Sequence, residues 1–136
     1  MPHRFPRSHH LKRQRLVRPL FDRTATDSRT VSSGSVRVVY RIASEREAGP
    51  GHCIRAGFAV PKRTGNAVQR NRIRRIMREV WRQHPRVSDP ELIHALGQRN
   101  EVVTAMVLFR STRDDIPRIP HDLTDAIARL ELPGTT

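Results

Sequence analysis

The chain has 136 residues, the length of one domain, and 36% of them are apolar, enough for a modest core. Its 26 basic against 13 acidic residues give a net charge of +13, which opposes compaction and points to nucleic acid, an acidic membrane surface or an acidic protein as partner. A single cysteine, Cys53, excludes an internal disulfide and a cysteine-based zinc site, and no run reaches the roughly 18 apolar residues of a membrane-spanning helix.

Residues 1–10 are basic and proline-containing, which predicts a disordered arm with Ser8 as a helix cap. No apolar stretch of a secretory signal is present. The arginines there leave an organelle transit peptide open; Asp22 and the prolines count against one, and the cytoplasm is the expected location. Leu11, Leu16, Val17, Leu20 and Phe21 predict an amphipathic helix over 11–23. Pro19 removes a backbone donor, so that helix should be short, late-starting or kinked.

Residues 24–35 read as a loop or short edge strand. Val36, Val38, Tyr40 and Ile42 then recur with period two, as do Ile54, Ala56, Phe58 and Val60 beyond the turn at Gly49-Pro50-Gly51. These two runs are expected to pair as an antiparallel hairpin. Pro61 ends the second, and Asn66 with Gln69 three positions on forms a capping signature. The helix that follows carries Ile73, Ile76, Met77, Val80 and, at the edge of the stripe, Trp81. Glu91 to Leu96 predicts a helical turn closed by Gly97. Glu101 to Arg110 is a near-continuous apolar run, the mark of a strand buried on both faces, which allows parallel neighbours. Leu123, Ile127 and Leu130 predict a closing helix after Pro117 and Pro120, ended by Pro133-Gly134. The whole is a single domain over 1–136, with 1–10 and 132–136 disordered and helices packed on one small sheet.

The segment 62–82 holds eight Lys/Arg residues against one acid, Glu79. At about 100° per residue, Asn71, Arg74, Arg75, Arg78 and Arg82 fall opposite the apolar stripe. Arg70, Arg74 and Arg78 are like charges at i, i+4, which destabilise an isolated helix. A merely solvated face would interleave Glu, so this one is read as a polyanion surface. Only Lys12 and Lys62 are lysines. A GC-rich genome accounts for that ratio, though not for the clustering.

No helix-turn-helix pair or zinc ligand set suggests a DNA reader. Among the aromatics, Phe58, Phe109 and Trp81 read as packing. Tyr40 and Phe21 are candidates for stacking on an unpaired base. Tyr40 shares its strand face with Val36, Val38 and Ile42, so a core role is equally open. The seven histidines are scattered without a partner acid, Cys53 lies in an apolar run and reads as structural, and Asp114-Asp115 reads as a loop turn. On its residues the chain is a binding module without a catalytic set.

Residues 55–79 resemble the signature of the bacterial ribonuclease P protein component. The match covers Gly57, Val60, Lys62, Gly65, Ala67, Val68, Arg70, Asn71, Arg72, Arg75, Arg78 and Glu79 in register. Weaker similarity, including Phe21, Tyr40 and the strand ending at Arg110, extends over roughly 10–130. The resemblance implies an α+β fold, a small αβββαβα sandwich like ribosomal protein S5 domain 2, with a left-handed βαβ crossover. It implies the small subunit of the endonuclease that removes the 5′ leader of precursor tRNA, one protein per RNA, with catalysis and Mg²⁺ belonging to the RNA subunit. Carried over residue by residue, Lys62, Arg63, Arg70, Asn71, Arg72, Arg74, Arg75 and Arg78 would face the RNA subunit, and Val17, Phe21 and Tyr40 would line the leader cleft. Val17 stands where the family has Phe, Pro61 replaces a small polar residue, and insertions fall near 24–34 and 86–103. The alternatives are a ribosomal or general structured-RNA-binding protein of the same fold and, last, a membrane or acidic-protein surface, for which no buried strand set is needed.

Overall fold

The computed structural model describes residues 9–11, 14–21 and 27–133. Their order is α1 (Gln14–Phe21), β1 (Arg29–Ser33), β2 (Val36–Ser44), α2 (Glu45–Ala48), β3 (Ile54–Ala59), α3 (Ala67–Gln83), α4 (Pro90–Arg99), β4 (Glu101–Phe109) and α5 (Ile119–Ala128). Short 3₁₀ turns at Lys62–Thr64 and Arg113–Arg118 precede α3 and α5. The fold is mixed α+β.

The strands form one sheet in the order β1-β2-β4-β3. β2 runs antiparallel to β1 and to β4, while β3 lies parallel to β4. The expected pairing of β2 with β3 is therefore wrong. Alternation identifies a strand but not its neighbour. The hairpin forms instead between β1 and β2, across the two-residue turn Gly34-Ser35. Gly34 has φ +51°, and a Cβ there would lie 2.4 Å from the Asp122 carboxylate. That carboxylate accepts from Ser35 N–H at 2.9 Å and Ser35 Oγ at 2.7 Å, which pins the turn to α5.

β4 is central, and its apolar run serves both faces. Val103, Ala105, Val107 and Phe109 join Val36, Val38, Ile54 and Ala56 beneath α3, α4 and α5. Val102, Met106 and Leu108 pack with Val39 and Ala43 against Leu16, Val17 and Leu20 of α1 and Ala48 of α2. Helices thus cover both sides of the sheet, with α1 and α3 on opposite faces.

α1 is described over Gln14–Phe21 with Pro19 inside it, and Leu11 lies outside the helix. Leu11 is extended, its N–H bonded to Ala56 O, and His10 bridges Ala56 in parallel register. The His9 ring stacks on His52 with centroids 3.8 Å apart. Burial, then the neighbouring His52 and His10, push the His9 pKa down to about 4. The expected disorder at 1–10 and 132–136 concerns, for 1–8 and 134–136, residues outside those described, as does Ser8. The described remainder is placed on the fold: besides His9 and His10, Leu132 packs against the core.

The segment 24–34 contains the edge strand β1, and 86–103 contains α4. The latter is a full helix rather than a turn, capped by Asp89 and closed by Asn100 at φ 53°, with Gly97 inside it. Asn resembles Gly in tolerating this left-handed closing position, which is why Gly97 misleads. α5 begins at Ile119, taking Pro120 into its first turn, where the missing donor costs nothing.

Candidate nucleic-acid interface

The sequence around α3 builds its own entrance. Asn66 Oδ1 accepts from Gln69 N–H, and Gln69 Oε1 accepts from Asn66 N–H, both at 2.9 Å. This reciprocal cap satisfies two donors that the helix end would otherwise leave open. Gly65 permits it, because a Cβ there would sit 2.2 Å from Gln69 Oε1. The 3₁₀ turn just before brings Lys62 and Arg63, both exposed, to the same helix end.

The back of α3 is anchored by Ile73, Met77 and Trp81, all fully buried, with Ile76 and Val80 half-buried beside them. Trp81, at the edge of the stripe, is as fully buried as its centre and is set edge-on to Phe58 with centroids 6.5 Å apart. The front divides in two. Asn71, Arg72 and Arg75 are exposed, whereas Arg70, Arg74 and Arg78 are half-buried along one flank. Arg70 Nε donates to Gly65 O at 3.2 Å, and Arg74 Nη1 donates to Asn71 Oδ1 at 2.6 Å. Arg78 lies over the Phe58 ring, 5.9 Å from its centroid, and its buried Nε has no hydrogen-bond partner among the described residues.

Elsewhere several acids are matched to arginines: Arg29 to Glu131, Arg41 to Asp27 and Glu47, Arg99 to Glu101, Arg129 to Asp125. On α3 itself, Glu79 pairs with Arg82 at 2.8 Å, in the last turn. Among the described residues, none of Lys62, Arg63, Arg70, Arg72, Arg74, Arg75 and Arg78 takes part in a salt bridge. The structure therefore brings the whole predicted RNA-facing group to one turn and one helix, with its charge uncompensated by protein acids.

The three residues assigned to a leader cleft do not come together. Val17 is half-buried on the α1 side and Phe21 is 51% exposed. Tyr40 points to the other face of the sheet, is 2% exposed, and its phenol oxygen accepts from Glu131 N–H at 2.9 Å. Burial pushes its pKa up, against the nearby Arg29 and Arg86 charges. Tyr40 is thus a core tyrosine: the face it shares with Val36 and Val38 decides its direction. The residue on β2 that faces α1 is its neighbour Val39.

A groove of about 600 Å³ opens at the sheet end where β3 and β4 finish, between Arg37, Ala59, Pro61, Arg63, Leu108 and Arg110. Leu108 also packs on the cluster that holds Leu16 and Leu20 of α1, and Arg63 places the groove beside the entrance of α3. Sequence reasoning missed Arg37, Leu108 and Arg110 as site residues. The available signal was the strand alternation that puts Arg37 out of step with Val36 and Val38.

The family model described as Ribonuclease P matches residues 5–115. The chain belongs to the ribonuclease P protein family. A curated relative, the ribonuclease P protein component of Mycolicibacterium vanbaalenii, is 34% identical over 96 residues, covering 68% of this chain and 69% of its own. Two solved structures share the fold. A Staphylococcus aureus RNase P protein mutant with defective mRNA degradation activity aligns with TM-score 0.58 at 19% identity, over 89% of this chain and 86% of its own. The S. aureus RNase P protein aligns with TM-score 0.53 at 21% identity, over 88% and 93%. Family membership places the chain in tRNA processing with an RNA partner.

Among the described residues no three His, Cys, Asp or Glu side chains converge on a point. Cys53 is half-buried against the core, and burial pushes its thiol pKa up, which suits a structural thiol rather than a nucleophile. No helix among the described residues is long and apolar enough to cross a membrane.

Proposed function

We propose that this chain is the protein subunit of ribonuclease P, docking the Lys62–Arg78 surface on the catalytic RNA and holding the 5′ leader of precursor tRNA against the α1 side of the sheet. One observation carries the docking assignment: seven basic residues gather on one 3₁₀ turn and one helix, none of them in a salt bridge among the described residues, and the helix's single acid, Glu79, is taken by Arg82. Such a surface gains free energy by releasing the counterions of a polyanion. Exposed Arg72 and Arg75 and the entrance pair Lys62 and Arg63 reach phosphates, and Asn71 adds a directional hydrogen bond. The half-buried Arg70, Arg74 and Arg78 both shape the helix flank and contribute charge.

For the leader, the support is the exposed apolar end of α1 together with the groove beside the entrance of α3. Exposed Phe21 and half-buried Val17 offer apolar surface, and Arg37 and Arg110 offer charge, a combination that suits a single strand. Tyr40 is left out of this reading because its ring is enclosed in the core. Mg²⁺ belongs to the RNA subunit, and the metal-assisted hydrolysis is the RNA's chemistry. One protein binds one RNA in the cytoplasm, and the chain's own part is to bind, orient and screen charge.

The test is reconstitution with a bacterial ribonuclease P RNA at low Mg²⁺, following precursor-tRNA cleavage. The expected result is tighter substrate binding and faster cleavage than with RNA alone. Equal rate and affinity would sink the proposal. Unrelated structured RNAs that compete equally for the protein would favour a general RNA-binding role instead.

A further inference from the structure

Val68 is 78% exposed, the most exposed large hydrophobic residue among those described. It sits in the first turn of α3, nine residues before Met77, which at about 100° per residue places it opposite the buried stripe. The core therefore has no use for it. Helix propensity does not explain it either, since a β-branched residue is less favourable there than Ala. The first turn also lacks the acid that would complement a helix N-terminus. On the same exposed face, Arg72 follows one turn later and Arg75 two turns later, and neither has an ion-pair partner among the described residues. Val68 is thus an apolar spot at the start of a cationic face, one turn before Arg72.

We infer that Val68 packs against a ribose or base face of the bound RNA, giving the phosphate-holding surface an uncharged contact point. This rests on the docking role proposed above and adds a residue that charge alone does not select. Phosphates draw the RNA onto Arg72 and Arg75. With its backbone held there, a sugar or base edge of the neighbouring nucleotide lies against what the helix presents one turn before them. An isopropyl group gains by excluding water from that contact. It also fixes the docking position, because a wholly cationic face lets a polyanion slide.

An apolar contact and a phosphate contact differ in their response to salt. Charge-neutralising contacts set the slope of log affinity against log salt concentration, whereas an apolar contact shifts the line without tilting it. The experiment measures that line for the full chain binding ribonuclease P RNA, with Val68→Ala, Val68→Thr and Arg72→Ala. Val68→Ala should bind about tenfold more weakly at every salt concentration, with an unchanged slope. Val68→Thr, which keeps the shape but replaces a methyl by a hydroxyl, should also weaken binding without tilting the line. Folding does not confuse the result, since Ala at an exposed helical position should leave the melting temperature unchanged or raise it. Wild-type affinity for Val68→Ala, or a shallower slope, overturns the inference. If the wild-type chain does not prefer ribonuclease P RNA over an unrelated structured RNA, the docking role itself fails. Loss of affinity in Arg72→Ala with none in Val68→Ala defeats only the role of Val68.

Discussion

Replacing Arg72 and Arg75 together by alanine removes two charges from the exposed face of α3 without touching the core. Neither side chain takes part in an ion pair among the described residues, so no acid is left unmatched. The melting temperature should hold or rise, because two like charges three residues apart no longer repel. RNA binding should respond differently. Each cation that neutralises a phosphate contributes roughly 0.7–0.9 to the slope of log affinity against log salt, so the double variant should be shallower by about 1.4–1.8. Raising salt fourfold, from about 50 to about 200 mM, should therefore narrow the gap between wild type and variant by about seven- to twelvefold. Fluorescence anisotropy with labelled ribonuclease P RNA across that range measures both lines. Parallel lines, however far apart, would refute phosphate contact by these two arginines.

Gly65→Ala should force Gln69 Oε1 off the cap through a Cβ placed 2.2 Å from it, lowering stability by about 1 kcal/mol in chemical denaturation. An unchanged midpoint would show that the cap tolerates a methyl group. Asp122→Asn should flatten the acid limb of the stability curve. Burial opposes ionisation of Asp122, but the Ser35 N–H and Oγ bonds outweigh it and hold the pKa below its ordinary 3.8. A depressed carboxylate pKa gives stability that is full above the unfolded value and lost as pH falls through 3.8 toward the folded value. Equal acid limbs for variant and wild type would remove Asp122 from that account. Phe21→Ala should weaken leader binding in the reconstituted enzyme. Tyr40→Phe should leave it unchanged and reduce stability by about 1 kcal/mol, since Glu131 N–H loses its acceptor. The opposite pattern would return Tyr40 to the leader site.

What was legible in the sequence was local. The α3 cap, its buried stripe and its charged front all follow from spacing within one helix, and they agree with the structure down to Asn66 and Gln69. The central position of β4 followed from its unbroken apolar run. What failed depended on partners far apart in the chain. β2 and β3 carry similar alternation, but only the tight Gly34-Ser35 turn, with its anchor at Asp122 87 residues away, selects β1 as the hairpin partner. The choice between a core and a leader role for Tyr40 stayed open in the sequence for the same reason. Alternation put it with Val36 and Val38, but which face of the sheet α1 would cover was not readable from either segment alone. Gly97 failed through a local ambiguity, since a glycine near a helix end can close it or sit inside it.

Magnitudes explain how α3 sustains a face that its own sequence disfavours. Arg70, Arg74 and Arg78 form two like-charge pairs at i, i+4, each costing about 0.2–0.5 kcal/mol in an isolated helix. Burying Ile73 and Met77 completely contributes about 1.5–3 kcal/mol apiece, before Trp81 is counted. The anchor exceeds the repulsion several times over, so tertiary packing holds the arginines on a rigid rod that would otherwise fray. Arg78 shows the two demands meeting in one side chain. Its guanidinium covers Phe58, and so helps seal the packing under α3, while its charge still adds to the flank. The single acid of the helix, Glu79, pairs with Arg82 in the last turn and leaves the first three turns positive. Core and interface are therefore one construction: the apolar stripe permits the uncompensated charge, and a bound polyanion relieves the repulsion that the stripe holds in place.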